Sequence, residues 1–350
     1  MKRIAIGLAG VTIVAGATSC LRTVSLGGPQ GGCPVVLAPG ATEAEQAAAK
    51  ELAHWLGRAG GGTFPLTNAA PSRGPAIVLA HDPALGAEES RIRTTADDRI
   101  HISGGRPRGV LYGAYGLLED HLGFRWYTKD AVRVPPAAAL TLPSGLDVRT
   151  TPPLEYREVF WTEAFDGDWA ARNRLNSNSA RLEPRHGGRV RYGTFVHTFE
   201  RILSAEEHFD AHPEWFSMVK GQRVKTRTQL CLTHPEVRRR AVESVRGWIR
   251  ANPDATIFSV SQNDWHNPCE CPACRAIDDA EGSHAGTMIA FVNHVASAIA
   301  KDHPNVAIDT LAYQYTRKPP RTVRPLPNVI VRLCSIDRKS TRLNSSHVSQ

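Results

Sequence analysis

Three cysteines stand within six residues in the second half of the chain, at Cys269, Cys271 and Cys274. Their Cys-x-Cys-x-x-Cys spacing is tighter than that of a usual disulfide scaffold and is compatible with thiolate ligation of a metal ion. They could fill three corners of a tetrahedral zinc site, with Cys231, His266 or His284 as the fourth ligand. One disulfide with a free thiol, or three reduced thiols, are the alternatives. A catalytic Cys–His pair is disfavoured, because no orienting partner is evident. We therefore expect these cysteines to form a structural clasp, by which we mean a local cross-link made by a zinc ion or by a disulfide.

A further cysteine, Cys20, ends a segment with the features of an export signal. Two basic residues open the chain, an apolar run follows, and small residues precede the cysteine. The arrangement resembles a bacterial lipobox, in which the cysteine is lipidated and becomes the mature N-terminus. Ala17 stands where leucine is commoner, so secretion without lipid is the alternative, and a buried N-terminal helix is another. We expect residues 1–20 to be a signal peptide, residues 21–33 a flexible tether, and the exported protein to be anchored to a membrane through Cys20.

The elements that follow predict a small α/β domain at residues 34–145. Strand-like apolar runs occur at 34–38, 76–80, 99–103 and 124–127. A capping box, Thr42-x-x-Glu45, begins a helix that a run of glycines ends, and apolar residues at helical spacing predict a second helix at 106–122. Prolines between 135 and 153 mark the end of this domain. The resulting architecture is two helices on one sheet.

Residues 151–337 show longer units in which a strand precedes a helix. Six strands are predicted, at 156–161, 179–182, 229–233, 256–261, 307–313 and 329–334. Helices are predicted at 235–251 and 287–302. This alternation of strands and helices indicates a parallel (β/α)8 TIM-type barrel. Eight strands close such a barrel and six are predicted here, so the barrel is expected to be incomplete. The polar, aperiodic tail at 338–350 is predicted to be non-native, and hydrolase activity is not expected from the fragment alone.

The composition excludes several classes of protein. The chain has 42 Lys+Arg and 34 Asp+Glu among 350 residues, a formal charge of +8, but five of the positive charges lie in residues 1–3 and 338–350. Residues 4–337 therefore carry a formal charge of +3, and their sequence shows no run of basic residues interleaved with aromatic ones. A nucleic-acid partner is not expected. The hydrophobic share of 41% is typical of a globular protein.

Several motifs resemble known bacterial families. In the first domain they are Arg108-Gly109-Val110-Leu111-Tyr112-Gly113, Leu117-Leu118-Glu119 and Gly123-Phe124-Arg125-Trp126-Tyr127, which look like the N-terminal domain of α-glucuronidases and hexosaminidases. In the second domain they are His212-Pro213-Glu214-Trp215-Phe216, Gln229-Leu230-Cys231-Leu232-Thr233, Val260-Ser261-Gln262-Asn263-Asp264 and Leu311-Ala312-Tyr313-Gln314-Tyr315, which resemble bacterial domain of unknown function 4838. That family is placed beside the α-glucuronidases of glycoside hydrolase family 67. The resemblance covers about residues 34–336 and implies a barrel that acts on or binds saccharides.

The resemblance gives Asp264 a candidate role. Glycoside hydrolysis usually uses two carboxyl groups, and barrel enzymes carry theirs at the carboxyl ends of strands. Asp264 follows the predicted fourth strand, near the end of which the related enzymes keep a general acid, usually a glutamate. An Asx turn or a helix cap is the alternative for Asn263-Asp264. The second carboxylate is expected on later strands, beyond the sixth.

Aromatic and polar side chains could form the sugar subsites. The predicted substrate-binding residues are Asn263, Trp161, His197, Trp265 and Tyr313. Core packing is the alternative for the last four. Arg157, Arg172 or Arg174 could meet the carboxylate of a uronic acid. Two hypotheses remain: an exported hydrolase of glycans, such as those that contain uronic acids, and a cell-surface saccharide-binding lipoprotein without catalysis. Neither needs a catalytic cofactor.

Overall fold

The computed structural model of the protein describes residues 22–334. Within this range the chain forms two compact units, one ending at Arg189 and the other beginning at Val190. This division lies well beyond the proline-rich boundary predicted from the sequence. The predicted signal peptide with Cys20 and the tail at 338–350 lie outside the described residues, so both stay predictions. No helix of residues 22–334 is long and apolar enough to cross a bilayer.

The first unit is built on a mixed six-stranded sheet. Its strands are β1 Val35–Leu37, β2 Leu66–Thr67, β3 Ala76–His81, β4 Ser90–Thr94, β5 Arg99–Gly104 and β6 Asp147–Thr150. They lie in the order β6-β4-β5-β3-β1-β2, with β4 antiparallel to both of its neighbours and the other pairs parallel. Shorter strands lie outside this sheet, at Thr23–Ser25, Gly27–Gly28, Gly31–Gly32, Arg125–Trp126, Val132–Arg133 and Thr141–Pro143.

The helices of this unit are α1 Glu43–Gly60, α2 Gly109–Gly116 and α3 Gly167–Arg172. The predicted capping box begins α1, since Thr42 Oγ1 accepts a hydrogen bond from Glu45 N at 3.3 Å and Glu45 Oε2 accepts one from Thr42 N at 2.8 Å. Gly61 ends α1 with a φ of 74°, which favours glycine. The helix predicted at 106–122 is shorter than expected, because Leu117–His121 continues α2 as a π-helical turn.

Asp168 in α3 forms a charged contact near the end of the first unit. Its Oδ1 lies 2.6 Å from Arg185 Nη1 and 2.8 Å from Nε2 of the buried His186. The hydrogen bond with His186, together with the charge of Arg185, lowers the pKa of Asp168 from 3.8 to about 2. Because the folded-state pKa is depressed, this stabilisation is present above about pH 4 and is lost as the pH falls through about 2.

We therefore expect the Asp168→Asn substitution to reduce the free energy of unfolding more at about pH 6 than at about pH 3. Urea unfolding at the two pH values measures this difference. Asp130→Asn serves as the control, since Asp130 is exposed and is not expected to change stability at either pH. A loss for Asp168→Asn of the same size at both pH values would contradict the expectation.

The second unit contains a parallel sheet of four strands. In spatial order these are β7 Tyr192–Thr194, β8 Ile257–Ser259, β9 Ala307–Ala312 and β10 Val329–Leu333. A separate hairpin pairs Met218–Val219 with Gln222–Arg223. The helices are α4 Phe199–Ile202, α5 Ala205–His208, α6 Pro235–Ala251, α7 Pro272–Glu281 and α8 Ala285–Ala300. The sequence predicts α6 and α8 but not α7.

The core of the second unit lies between this sheet and the helices α6 and α8. The apolar face of α6 is buried at Val237, Ala241 and Val245, which are spaced by about one helical turn. Phe258 in β8 is fully buried and packs against Gly193, where a Cβ atom would lie only 2.0 Å from the Phe258 ring. The missing side chain at Gly193 thus makes room for the aromatic ring between β7 and β8.

Three of the six segments predicted to be barrel strands do not form strands. These segments are 156–161, 179–182 and 229–233. In the first of these, a side chain replaces the partner strand: Asn176 Oδ1 accepts a hydrogen bond from Arg157 N at 2.8 Å, and Asn176 Nδ2 donates to Glu155 O at 2.7 Å. The strand β7 was not predicted. The described residues therefore form an open parallel sheet rather than a closed barrel, and the predicted fourth strand is the second strand of that sheet. The prediction of a flexible tether at 21–33 is wrong for the described residues from 22 on, because short strands form there and Leu26 is fully buried.

Candidate functional site

Three residues predicted for the site meet at one edge of the parallel sheet. His197, Asp264 and Tyr313 follow β7, β8 and β9, and the carboxyl ends of parallel strands lie at the same edge. Tyr313 Oη donates a hydrogen bond to Asp264 Oδ1 at 2.7 Å, and the ring centroids of His197 and Tyr313 are 5.8 Å apart. The structure thus brings together side chains that are between 49 and 116 positions apart in the sequence.

One oxygen of the Asp264 carboxylate is held in place and the other is not. Oδ1 accepts the hydrogen bond from Tyr313 and a second one from Gln314 Nε2 at 3.3 Å. This contact raises the pKa of Tyr313, because the phenol donates to a carboxylate. Within the part of the chain that the structure describes, Oδ2 has no hydrogen-bond partner, and the residue is exposed. Asp264 therefore has a fixed orientation and one oxygen free for a ligand.

His197 is also held in a defined orientation. Its backbone N–H donates to Ser261 Oγ at 2.9 Å, and its Nδ1 lies 2.8 Å from Gln262 O. Because a carbonyl oxygen only accepts, Nδ1 carries a hydrogen and Nε2 of the neutral ring is left as an acceptor. The backbone of His197 has a φ of 58°, an uncommon value for a residue with a side chain.

A buried amide network carries the loop that bears Asp264. Gln229, only 2% exposed, accepts a hydrogen bond from Asn263 N through Oε1 at 2.9 Å. Its Nε2 donates to the carbonyl oxygens of Asn263 and Trp265, at 2.9 and 2.7 Å. The Asn263 side chain accepts from Glu200 N at 3.0 Å and donates to Thr228 O at 3.1 Å. Asn263, predicted to bind substrate, is thus largely occupied by contacts that position the loop.

His197, Asn263 and Asp264 border an open cleft of about 530 Å³. Its lining includes His197, Glu200, Arg227, Asn263, Asp264 and Trp265. The guanidinium carbon of Arg227 lies 5.7 Å from the ring centroid of Trp265, which is 42% exposed. Sequence reasoning missed Glu200 and Arg227, because neither lies in a motif or at a predicted strand end. The cleft combines an aromatic face, a cation and carboxylates, the groups that bind charged sugars.

Other predicted site residues lie in the first unit. Trp161 is 45% exposed and its ring makes an edge contact with Trp169 at 5.3 Å. The three arginines considered for uronate binding already have carboxylate partners there: Arg157 with Glu88 at 2.6 Å, Arg172 with Glu51 at 2.9 Å and Arg174 with Glu119 at 2.5 Å. None of these four residues lines the cleft beside Asp264.

The predicted cysteine clasp forms a cluster of four. Cys269, Cys271 and Cys274 are joined by Cys231, and all four are buried free thiols. The two histidines considered as a fourth ligand lie elsewhere: the ring of His266 is beside Tyr315, and His284 Nδ1 is 2.6 Å from Asp278 Oδ2. Cys231 is therefore the fourth member that the fold provides.

Comparisons with known proteins give both structural and sequence matches. The fold is similar to that of a glycoside hydrolase family 115 4-O-methyl-α-glucuronidase with specificity for decorated arabinogalactans, with 8% identity and a TM-score of 0.47 over 88% of this chain and 45% of that one. It is also similar to a Flavobacterium johnsoniae chitobiase, with 12% identity and a TM-score of 0.47 over 89% of this chain and 52% of the other. A β-N-acetylhexosaminidase from Streptomyces coelicolor gives 15% identity and a TM-score of 0.42 over 92% and 70%. The chain thus spans about half the length of the first two.

A search of curated protein sequences finds no match. A family model described as domain of unknown function DUF4838 matches residues 126–348, which is more than half of the chain. This range includes most of the tail at 338–350, whose non-native origin stays a prediction. On the strength of this match, the chain belongs to the DUF4838 family.

Proposed function

We propose that this chain is part of an exported, lipid-anchored glycoside hydrolase-like protein that acts on glycans containing uronic acids, with Asp264 as the general acid of a parallel (β/α) barrel. The observation that carries the proposal is the placement of Asp264, at the carboxyl ends of parallel strands, in an open cleft and with one carboxylate oxygen free. Barrel enzymes carry their catalytic groups at this edge of the sheet.

The polar groups around Asp264 support a role in proton transfer. Tyr313 and Gln314 hold Oδ1 of Asp264, a residue that lines the cleft, and this restricts the orientation of the carboxylate. A general acid must lie within hydrogen-bond reach of the oxygen that it protonates, and a fixed carboxylate meets that need without ordering at the moment of reaction. Nε2 of His197 offers a further hydrogen-bonding atom beside the same cleft.

Arg227 and Trp265 support a negatively charged sugar as the ligand. Trp265 is a half-exposed aromatic ring, and a pyranose can stack on such a ring. The guanidinium of Arg227 lies over one face of Trp265 and can bind a carboxylate through two hydrogen bonds. Arg227 is exposed, and in the described residues its guanidinium forms no ion pair, in contrast to Arg157, Arg172 and Arg174.

The test compares two ligands that differ only in one carboxylate. We expect Arg227→Gln to weaken binding of an oligosaccharide with a glucuronic acid residue by about 10- to 100-fold, the amount that a charge-assisted hydrogen bond contributes. Binding of the counterpart with glucose in that position should change little. Isothermal titration calorimetry measures both.

Arg250→Gln is the matched control, because Arg250 is an exposed arginine near the end of α6 and does not line the cleft. It should leave both affinities as they are. Equal losses on the charged and the neutral oligosaccharide in Arg227→Gln, or no loss on either, would contradict the uronate assignment.

A saccharide-binding lipoprotein without catalysis is the second candidate. It is favoured by the partners of the other two carboxylates in the cleft: Glu200 accepts a hydrogen bond from Ala205 N at 3.1 Å, and Glu206 lies 3.9 Å from Lys225 Nζ. Neither is an evident nucleophile or base. Tight binding of a glycan that is never cleaved, even by a form with the strands expected to follow β10, would favour this candidate.

A further inference from the structure

The four-cysteine cluster brings together residues from two separate parts of the second unit. Cys231 follows the segment that contains Gln229, whereas Cys269, Cys271 and Cys274 lie on the loop after Asp264 and at the start of α7. Their relative exposures are 3, 6, 5 and 1%. They form a small cluster of their own, against which Met218 of the hairpin packs, apart from the main core of the unit.

The distances between the sulfur atoms fit a shared metal ion. All four Sγ atoms lie within 4.8 Å of one another, and those of Cys231 and Cys271 are 3.6 Å apart. In a tetrahedral zinc site with Zn–S bonds of about 2.3 Å, neighbouring sulfur atoms are about 3.8 Å apart. A disulfide needs about 2.05 Å. The separation of Cys231 and Cys271 is close to such an edge and too long for a disulfide, and the 4.8 Å limit keeps all four sulfur atoms within reach of one ion.

The surroundings also suit sulfur atoms that carry negative charge. Met218 N–H donates a hydrogen bond to Cys269 Sγ at 3.4 Å, and Arg223 Nη1 lies 3.7 Å from the same atom. Thr233 Oγ1 lies 3.2 Å from Cys274 Sγ. Cys271 is the N-cap residue of α7, at the end of the helix where the dipole stabilises anions. Four thiolates around a divalent cation leave a charge of −2, which these donors and the arginine partly offset.

We propose that Cys231, Cys269, Cys271 and Cys274 bind one Zn²⁺ ion in a closed structural site. Four protein ligands leave no open position for water or substrate, which distinguishes a structural zinc site from a catalytic one. The ion joins the segment around Gln229 to the loop that carries Asp264, and the hairpin covers it. The site therefore fixes the same two segments that the Gln229–Asn263 hydrogen bonds connect, although its existence does not depend on the proposed hydrolase function.

The first measurement uses the purified protein, expressed with zinc in the medium. We expect about one zinc ion per chain in native mass spectrometry. Alkylation of the folded protein with iodoacetamide should leave the four cysteines unmodified, and a chelator such as EDTA, without reductant, should make all four reactive. Thiols that become reactive only after a reductant is added would show disulfides and would overturn the proposal. Folded, zinc-free protein with four reactive thiols would do so as well.

The second measurement uses two variants that each lose one buried thiol. Cys271→Ser removes a ligand and should lower the zinc content at least tenfold, whereas Cys33→Ser removes a buried cysteine of the first unit and should leave it unchanged. Equal zinc contents in both variants would contradict the site. If Cys271→Ser does not fold, the alkylation of the unchanged protein before and after chelation still decides the matter.

Discussion

Replacing Asp264 by asparagine is expected to lower the rate of cleavage of a natural glycan by about 10²–10⁴-fold, the contribution that a general acid commonly makes. Asparagine has the same shape and still offers an oxygen to Tyr313 and Gln314, so the hydrogen bonds that hold Oδ1 can persist. Only the proton that would pass to the leaving group is lost. The measurement is kcat/KM in a form of the protein that includes the strands expected to follow β10.

The leaving group provides the sharper test of the role of Asp264. Aryl glycosides with an activated leaving group need little protonation, so Asp264→Asn should slow their cleavage much less than that of the natural glycan. Asp254→Asn is the control: Asp254 is an exposed aspartate before β8, with an ion pair to Arg191 at 3.5 Å, and does not line the cleft. Equal losses on both kinds of substrate in Asp264→Asn would assign Asp264 a role other than general acid.

The sequence predicts well those parts of the fold that local signals determine. The capping box at Thr42 and Glu45 sets the start of α1 through contacts within four residues. The helix α6 follows from apolar residues at helical spacing, and its predicted bounds are the observed ones. In both cases the information lies in the element itself, so no knowledge of a distant partner is needed.

Strand predictions fail where the partner decides the outcome. The segment 156–161 has the residues of a strand, but at its start the side chain of Asn176, rather than a neighbouring strand, hydrogen-bonds the backbone of Glu155 and Arg157. Conversely, β4 was not predicted, since its alternating arginines, Arg91 and Arg93, make it look exposed although Ile92 between them is buried. A strand needs hydrogen bonds from elsewhere in the chain, which a single-sequence pattern does not identify.

The same distinction applies to the site. The sequence identifies Asp264 and three cysteines of the cluster, because each lies in a short motif or at the end of a predicted strand. The sequence does not decide which of Cys231, His266 and His284 joins the three cysteines. That depends on which of these residues the fold brings next to the loop after Asp264, and the structure places Cys231 there. The same reason explains why Arg227 is missed and why Gln229, although part of a motif, receives no role: their partners are more than 30 positions away in the sequence.

Gln229 is the residue whose replacement should most disturb the loop that carries Asp264. Its side-chain amide pairs with backbone groups of Asn263 and Trp265 as a neighbouring strand would, with one hydrogen bond accepted and two donated. Leucine has a similar volume but no polar atoms. In Gln229→Leu the buried backbone N–H of Asn263 would be left without its partner, a loss that costs about 1–3 kcal/mol. The carbonyl oxygen of Asn263 would lose one of its two donors and keep the other, Trp265 N, at 2.7 Å.

We therefore expect Gln229→Leu to lower the free energy of unfolding by about 1–3 kcal/mol, as measured by urea unfolding. Gln222→Leu, at an exposed glutamine of the hairpin, should stay within about 0.5 kcal/mol of the unchanged protein. Because the loss falls on the loop that orients Asp264, the folded Gln229→Leu protein should also lose kcat more than it raises KM. A Gln229→Leu protein as stable as the unchanged one would show that water or a shift of the loop replaces these hydrogen bonds, and that the amide does not position Asp264.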